Sequence, residues 1–269
     1  MNCTEEQKRT NGFTLIELLV VISIVALLMA ILMPALQHAK KQARSVACQS
    51  NLHQWAIIFS MYTDDNDGKF YKCWTTGIEG HRWIECVKPY YTDPKICFCP
   101  TATKPASTAA QGVTGSKFIA WGVFSADDHR IGYPGSSGSY GINDWVGDPI
   151  KGVSHGEASW YWWVPSAKGA NQAPLFLDSK WLGGFPIHND SPPAYDDGRG
   201  DGQMDRCCIN RHDGSVNTLM VDFSIRKVGL KELWKLKWHR QFDTNGPWTT
   251  AGECLPSDWP EWMRYFKNY

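Results

Sequence analysis

The chain has 269 residues and a formal net charge of zero at pH 7, with 27 basic and 27 acidic side chains. This length is sufficient to bury a hydrophobic core. Because no basic stripe lies outside residues 40–44, composition and charge argue against a nucleic-acid-binding protein.

The first predicted element is an apolar helix at the start of the chain. From Phe13 to Met33 the only charged residue is Glu17, and a run of this length crosses a hydrocarbon core of about 30 Å as one helix. A glutamate in lipid is costly and needs a partner. Cleavage after Gly12 would create a free amine on Phe13, and we expect that amine in a neighbouring copy of the chain to pair with Glu17.

Residues 12–17, Gly-Phe-Thr-Leu-Ile-Glu, follow a short polar leader, and Pro34 ends the apolar run. Residues 8–65 strongly resemble the prepilin segment of type IV pilins and type II secretion pseudopilins. The resemblance implies that a prepilin peptidase cuts between Gly12 and Phe13 and methylates the new amino terminus. It also implies that Glu17 guides assembly with other pilin-like subunits in the inner membrane.

Two simpler explanations of the apolar run fit less well. A secretory signal peptide has a shorter apolar core that ends at a cleavage site with small residues, and none ends this run. A plain signal anchor would need neither the Gly-Phe-Thr-Leu-Ile-Glu sequence nor a glutamate in lipid. The run is therefore interpreted as a prepilin transmembrane helix.

The helical pattern continues beyond Pro34, because apolar residues recur at spacings of three and four as far as Tyr62. We expect an interruption or bend at Pro34. The helix should end at residues 64–68, Asp-Asp-Asn-Asp-Gly, which favour caps and turns. We therefore predict a leader over residues 1–12, a long helix over 13–65 with 13–33 transmembrane, and a periplasmic or extracellular head over 66–269.

The head is predicted from short β-prone runs that are separated by turn residues. The candidate strands are Phe118 to Phe124, Ala173 to Leu177 and Val216 to Val221, and long loops lie between them. We predict an α+β fold in which the second half of the long helix packs on an antiparallel β-sheet. Dense aromatic runs, such as Trp160-Tyr161-Trp162-Trp163, are interpreted mainly as core.

A second motif begins at His212 and ends with Asp222 and Phe223. It resembles the His, nine residues, Asp-Gly ending of prepilin-like proteins from planctomycete-type bacteria, except that Phe223 replaces the glycine. Glycine adopts a positive φ easily, and phenylalanine does not. We therefore predict that this hairpin turn differs from the one in those proteins. A catalytic set of His212, Asp222 and Asp178 lacks a nucleophile, so we expect buried groups that fix a hairpin and no enzyme.

Metal binding is expected to be absent, with calcium as the alternative. Asp197, Asp201 and Asp205 lie in a Gly-rich loop that resembles a calcium loop, but a flexible acidic loop is favoured because no bidentate Glu follows. Cys97 and Cys99 form only half of a zinc site, without the usual two-residue spacer. The eight cysteines that follow the cut site instead favour some disulfides in an exported head.

Two functions of different classes follow from the sequence. The first is a structural subunit, a pseudopilin or minor pilin, that polymerises through the long helix in a type II secretion or type IV pilus-like system. The second is a monomeric, membrane-tethered binding domain for a carbohydrate or protein ligand, because fourteen tryptophans offer aromatic surfaces. Glu17 discriminates between them, since polymerisation requires it and tethering does not.

Overall fold

The computed structural model describes residues 15–71, 83–106, 114–124, 135–150, 154–198, 200 and 202–269. The predicted cut site, Gly12 and Phe13, therefore lies outside the described residues. The chain divides into two compact units, one ending at Gln42 and one beginning at Ala43.

Helix α1 spans Leu15–Asp65 and contains Pro34 without being interrupted there. It includes an apolar stretch that is long enough to cross a membrane and has no buried residue in its most apolar window. The helix ends as predicted. Gly68 adopts a positive φ of 74°, and its N–H donates to the carbonyl oxygen of Thr63 at 2.8 Å, which closes the last turn.

The second unit contains a five-stranded sheet, a short helix α2 and a separate two-stranded pair. The helix and strands are α2 (Trp83–Val87), β1 (Lys104–Pro105), β2 (Ile119–Ala120), β3 (Tyr140–Asn143), β4 (Pro174–Asp178), β5 (Gly183–Gly184), β6 (Ser215–Met220) and β7 (Ile225–Gly229). The sheet order is β5-β3-β4-β6-β7, and β1 pairs with β2. The predicted strands near 173–177 and 216–221 are confirmed, whereas the one predicted over 118–124 is reduced to β2.

The sheet is mixed, where a purely antiparallel one was predicted. Strands β3, β4, β6 and β7 pair antiparallel, but β5 pairs parallel with β3. The chain crosses back over β3 between β4 and β5, and a Cβ atom at Gly141 would clash with the carbonyl oxygen of Trp181. Glycine therefore permits the close approach that adds β5 to the edge.

The part of α1 that follows Ala43 packs on the sheet, as predicted. Trp55 and Phe59 are fully buried, and the Trp55 ring lies 4.8 Å from that of Phe176 on β4. A second cluster joins the carboxy-terminal segment to β6 and β7, with Trp234, Trp238 and Phe242 fully buried. Aromatic side chains thus form much of the interior of the α+β head.

The turn between β6 and β7 differs from its prediction. Phe223 itself adopts the left-handed conformation, with φ at 67°, so a positive-φ residue is kept although its side chain is large. The Phe223 N–H donates to the Met220 carbonyl at 2.9 Å, and its ring packs edge-on against Phe70 with 6.2 Å between centroids. This ring contact offsets part of the backbone strain.

Candidate functional site

Four polar side chains from distant parts of the chain converge inside the unit that begins at Ala43. They are Cys48 on α1, Cys99, Asp178 at the end of β4, and His212 just before β6. One potential ligand atom from each lies within 4.8 Å of those from the other three. All four residues are buried, so this group, called here the Cys48 cluster, is closed to bulk solvent.

Local structure aims each of these side chains inward. Cys48 lies on the same face of α1 as Leu52 and Trp55, one and two turns away, which are also fully buried. Cys99 follows a 3-10 turn that ends at Cys97. Since β4 and β6 are neighbours, the N–H of Asn217 donates to the Asp178 carboxylate at 3.0 Å and fixes its orientation.

A tight turn presents His212 to the cluster. The His212 N–H donates to the carbonyl of Ser215 at 3.2 Å. Between them, Asp213 and Gly214 both adopt positive φ angles, 51° and 80°. Asp and Gly are residues that accept this left-handed conformation readily. The turn therefore lets the imidazole enter the core at the start of β6.

The distances within the Cys48 cluster are short. The His212 Nε2 atom lies 3.3 Å from the Cys99 Sγ and 3.2 Å from the Asp178 Oδ2. The Cys48 Sγ lies 3.8 Å from both carboxylate oxygens of Asp178. The Tyr140 hydroxyl donates to the Cys48 Sγ at 3.2 Å, so a fifth residue holds that sulfur in place.

Arg211 supplies a buried positive charge beside the cluster. Its Nη1 atom lies 3.5 Å from the Asp178 Oδ1, and both side chains are fully buried. The guanidinium also donates to the backbone carbonyls of Ser116 at 2.9 Å and Ser179 at 3.0 Å. These acceptors form hydrogen bonds with the guanidinium N–H groups. The bonds offset part of the free-energy cost of burying the positive charge.

These contacts shift the pKa values of the cluster. Burial alone would raise the pKa of Asp178, but the nearby charge and hydrogen bond of His212 and the charge of Arg211 lower it to about 2. Burial opposes protonation of His212, yet Asp178 raises the pKa of that imidazole to about 10. Burial also disfavours the Cys99 thiolate, but hydrogen bonds from Cys48 and His212 outweigh it and lower the Cys99 pKa to about 6.

The geometry differs from that of a catalytic relay. In a nucleophile–histidine–carboxylate relay, the nucleophile and the carboxylate contact opposite nitrogens of the imidazole. Here Cys99 and Asp178 both approach the same Nε2 atom of His212. The cluster is also buried, so the four groups converge on one point without an open side for a substrate.

The structure separates two residues that the sequence motif placed together. His212 belongs to the Cys48 cluster, whereas Asp222 is exposed in the β6–β7 turn. The Asp222 carboxylate accepts from the N–H of Ser224 at 3.0 Å and from its hydroxyl at 2.6 Å. Asp222 therefore shapes the hairpin, while His212 does not share that role.

The prediction of disulfides is wrong for the described cysteines. Among the described cysteines, Cys48, Cys86, Cys97, Cys99, Cys207, Cys208 and Cys254, no disulfide is formed. Of the Cys97 and Cys99 pair only Cys99 joins the cluster, because Cys97 lies on the other side of the turn and its Sγ is 3.8 Å from the Tyr91 hydroxyl. Sequence reasoning missed Cys48, since nothing but its position on the apolar face of α1 marks it.

The acidic loop is held together by a buried lysine. The Lys180 ammonium donates to the carbonyl oxygens of Gly198 and, at 2.8 Å, Gly200. The Asp205 carboxylate accepts from the N–H of Gly202 at 3.1 Å. Asp201 lies outside the described residues. The predicted metal-free acidic loop, with calcium at Asp197, Asp201 and Asp205 as its alternative, stays a prediction.

Comparison with known proteins identifies the amino-terminal segment. Residues 7–33 match the prokaryotic N-terminal methylation motif. Searches of curated proteins and of solved structures found no match to the chain. The matched residues include the predicted cut site, Glu17 and the apolar part of α1. The motif and the apolar helix together support a membrane-anchored, single-pass protein of the type IV pilin-like kind.

Proposed function

We propose that the protein is a prepilin-processed structural subunit, a pseudopilin or minor pilin, of a type II secretion or type IV pilus-like system. The observation that supports this proposal is the methylation motif at residues 7–33, which leads directly into helix α1. The partners are then a prepilin peptidase, other pilin-like subunits and the inner membrane, with the head periplasmic or extracellular. We also propose that the protein is related to the prepilin-like proteins of planctomycete-type bacteria.

The amino-terminal part of α1 has the surface that such a subunit needs. Its large apolar side chains are exposed, including Ile16 at 75% and Leu27 at 64%. Exposed apolar area of this extent requires lipid or other apolar helices around it. Glu17 lies in the first turn of α1. In the proposed assembly, this carboxylate pairs with the Phe13 amine of a neighbouring subunit, which offsets its cost in lipid.

Processing and assembly are tested in the native host. Intact mass and amino-terminal sequencing should give an N-methylated Phe13 start, and Gly12→Ala should leave the leader attached. Glu17→Ala should be processed but should lose the cross-links to other pilin-like subunits that the wild type forms. Ser23→Ala is the matched control, because the Ser23 hydroxyl donates to the Leu19 carbonyl of its own helix at 2.7 Å. A Met1 start in cells with active peptidase would contradict the processing step.

A membrane-tethered binding domain is the second candidate, and a cleft in the head favours it. Its volume is about 270 Å³. Aromatic and polar side chains line it together, among them Trp83, Trp181, Asp144, Gln203 and Arg206. Aromatic faces beside polar groups are suited to sugar rings. Binding of an oligosaccharide that Trp181→Ala abolishes and Glu17→Ala leaves unchanged would favour this candidate over the subunit.

A further inference from the structure

We propose that Cys48, Cys99, Asp178 and His212 form a closed, structural zinc site in the head. The site goes beyond the proposed filament or tether function, and neither function requires it. Two thiolates, an imidazole and a carboxylate are donors that zinc accepts, and four protein ligands are typical of structural zinc sites. The four potential ligand atoms already lie within 4.8 Å of one another.

The distances between the donor atoms fit tetrahedral zinc. Bonds of about 2.0–2.3 Å at tetrahedral angles place neighbouring donor atoms about 3.3–3.8 Å apart. The observed separations are 3.2 Å between His212 and Asp178, 3.3 Å between Cys99 and His212 and 3.8 Å between Cys48 and Asp178. These three pairs lie at or near the tetrahedral spacing, and all four donor atoms lie within 4.8 Å of one another.

The charges balance around such an ion. Two thiolates and one carboxylate contribute three negative charges, and Zn²⁺ together with the Arg211 guanidinium neutralises them. Arg211 contacts the carboxylate oxygen Oδ1, while His212 contacts Oδ2. One oxygen of Asp178 thus faces the arginine, and the other faces the point shared by the four donors.

Neighbouring groups hold the donors in the orientations that zinc needs. The Asn217 N–H fixes Asp178, and the Tyr140 hydroxyl donates to the Cys48 sulfur. The Ser139 hydroxyl accepts from the Cys99 N–H. Hydrogen bonds of this kind around the ligands are a regular feature of metal sites. They are present here on three of the four ligands.

Zinc fits this donor set better than calcium does. Calcium takes six to eight oxygen ligands, whereas three of the four donors here are sulfur or nitrogen. A disulfide between Cys48 and Cys99 is the chemical competitor. Forming it would require an external oxidant that takes two electrons and two protons from the thiols, and it would leave Asp178 paired with His212 and Arg211.

The site joins four segments of the unit that begins at Ala43. Cys48 belongs to α1, Asp178 to β4, and Cys99 and His212 to loops beside them. A bound zinc ion would connect these elements directly. Because metal affinity for the folded state adds to folding stability, loss of zinc should loosen the contact of α1 with the sheet.

The test uses the full-length protein, purified in detergent without chelators from cells grown with added zinc. Elemental analysis should give one zinc ion per chain. Replacement by Co²⁺ should produce a thiolate-to-cobalt charge-transfer band and the strong visible absorption of a tetrahedral site. This measurement on the wild type needs no variant. Absence of both zinc and cobalt binding would overturn the proposal, as would a non-reducing peptide map that shows a Cys48–Cys99 disulfide.

Variants then assign the ligands. Cys48→Ser and Cys99→Ser should each weaken zinc binding at least tenfold in a chelator competition. Cys97→Ser and Cys207→Ser are matched controls, because Cys97 is two residues from a ligand and Cys207 is buried outside the cluster. Both controls should retain one zinc ion. Full zinc content in Cys48→Ser and Cys99→Ser would contradict the assignment, and the cobalt spectrum of the wild type decides the matter if these variants do not fold.

Discussion

His239 is a buried imidazole that is surrounded by aromatic rings. It stacks on Trp160 with 4.7 Å between ring centroids and an interplanar angle of 12°. Neither ring nitrogen has a hydrogen-bond partner among the described residues. Burial, helped by the charges of His188 and Lys237, lowers the pKa of His239 to about 4.

This burial predicts a pH dependence of stability. The unfolded chain takes up a proton on His239 below its ordinary pKa of 6.5, whereas the folded chain does so only near pH 4. The folded state therefore loses stability as pH falls from 6.5 towards 4. Urea unfolding in detergent, followed by tryptophan fluorescence, should show a smaller loss for His239→Phe than for the wild type. The exposed His53 provides the control, and an equal loss in His239→Phe and His53→Phe would contradict the prediction.

Phe223 provides a test of backbone strain at one position. Its φ is 67°, a region that costs residues with a Cβ atom about 1 kcal/mol or more. Phe223→Gly and Phe223→Ala both lose the contact with Phe70. The difference in stability between these two variants therefore reports the cost of the backbone conformation alone. We expect the Gly variant to be more stable than the Ala variant by about 1 kcal/mol in urea unfolding. Equal stability, or a more stable Ala variant, would show that the turn relaxes.

At the scale of elements, an aromatic contact joins α1 to β4. Trp55 is central to it. The Trp55 ring contacts those of Phe59, Trp83 and Phe176 at centroid distances of 5.9, 5.8 and 4.8 Å. Its Nε1–H donates to the Ile96 carbonyl at 2.8 Å. One side chain thus joins the helix, the sheet and a connecting loop.

Removing this side chain should destabilise the head strongly. Trp55→Ala should lower the free energy of unfolding by about 3–5 kcal/mol, because it leaves a cavity and an unsatisfied carbonyl. Ile57 lies two residues further along the same helix and is 61% exposed. Ile57→Ala should change stability by no more than about 0.5 kcal/mol. Similar losses in the two variants, measured in detergent, would mean that α1 does not pack on the sheet as described.

For the whole molecule, membrane anchoring depends on the apolar stretch of α1. Ile24 and Leu28 lie one helical turn apart within it and are 53% and 53% exposed. Arginine at each position should cost about 3 kcal/mol of insertion free energy. We expect the double variant Ile24→Arg/Leu28→Arg to leave the membrane fraction on alkaline extraction, whereas wild-type protein stays.

A matched control lies on the same helix beyond the apolar stretch. Ile57 and Met61 are also one turn apart and exposed, at 61% and 47%. Ile57→Arg/Met61→Arg adds the same charge and should remain in the membrane fraction. If both double variants were extracted alike, anchoring would have to reside elsewhere in the chain.

Local sequence patterns were enough to predict the long helix, its apolar first half, its end near residues 64–68 and an α+β head. Each of these depends on local information, namely the length of an apolar run, a helical spacing or a group of turn-forming residues. The motif at residues 7–33 is equally local. The strands at β4 and β6 were also found, because β-prone runs bounded by turns identify them.

Which distant residues meet could be known only from the three-dimensional fold. Cys48 and Asp178 are 130 positions apart, and Cys99 and His212 are 113 apart, so no spacing rule connects them. The same holds for the parallel pairing of β5 and for the unpaired state of the described cysteines in the cluster. Whether a cysteine forms a disulfide or faces a histidine depends on where folding of the entire chain places it, because the contact energies that decide this are non-local.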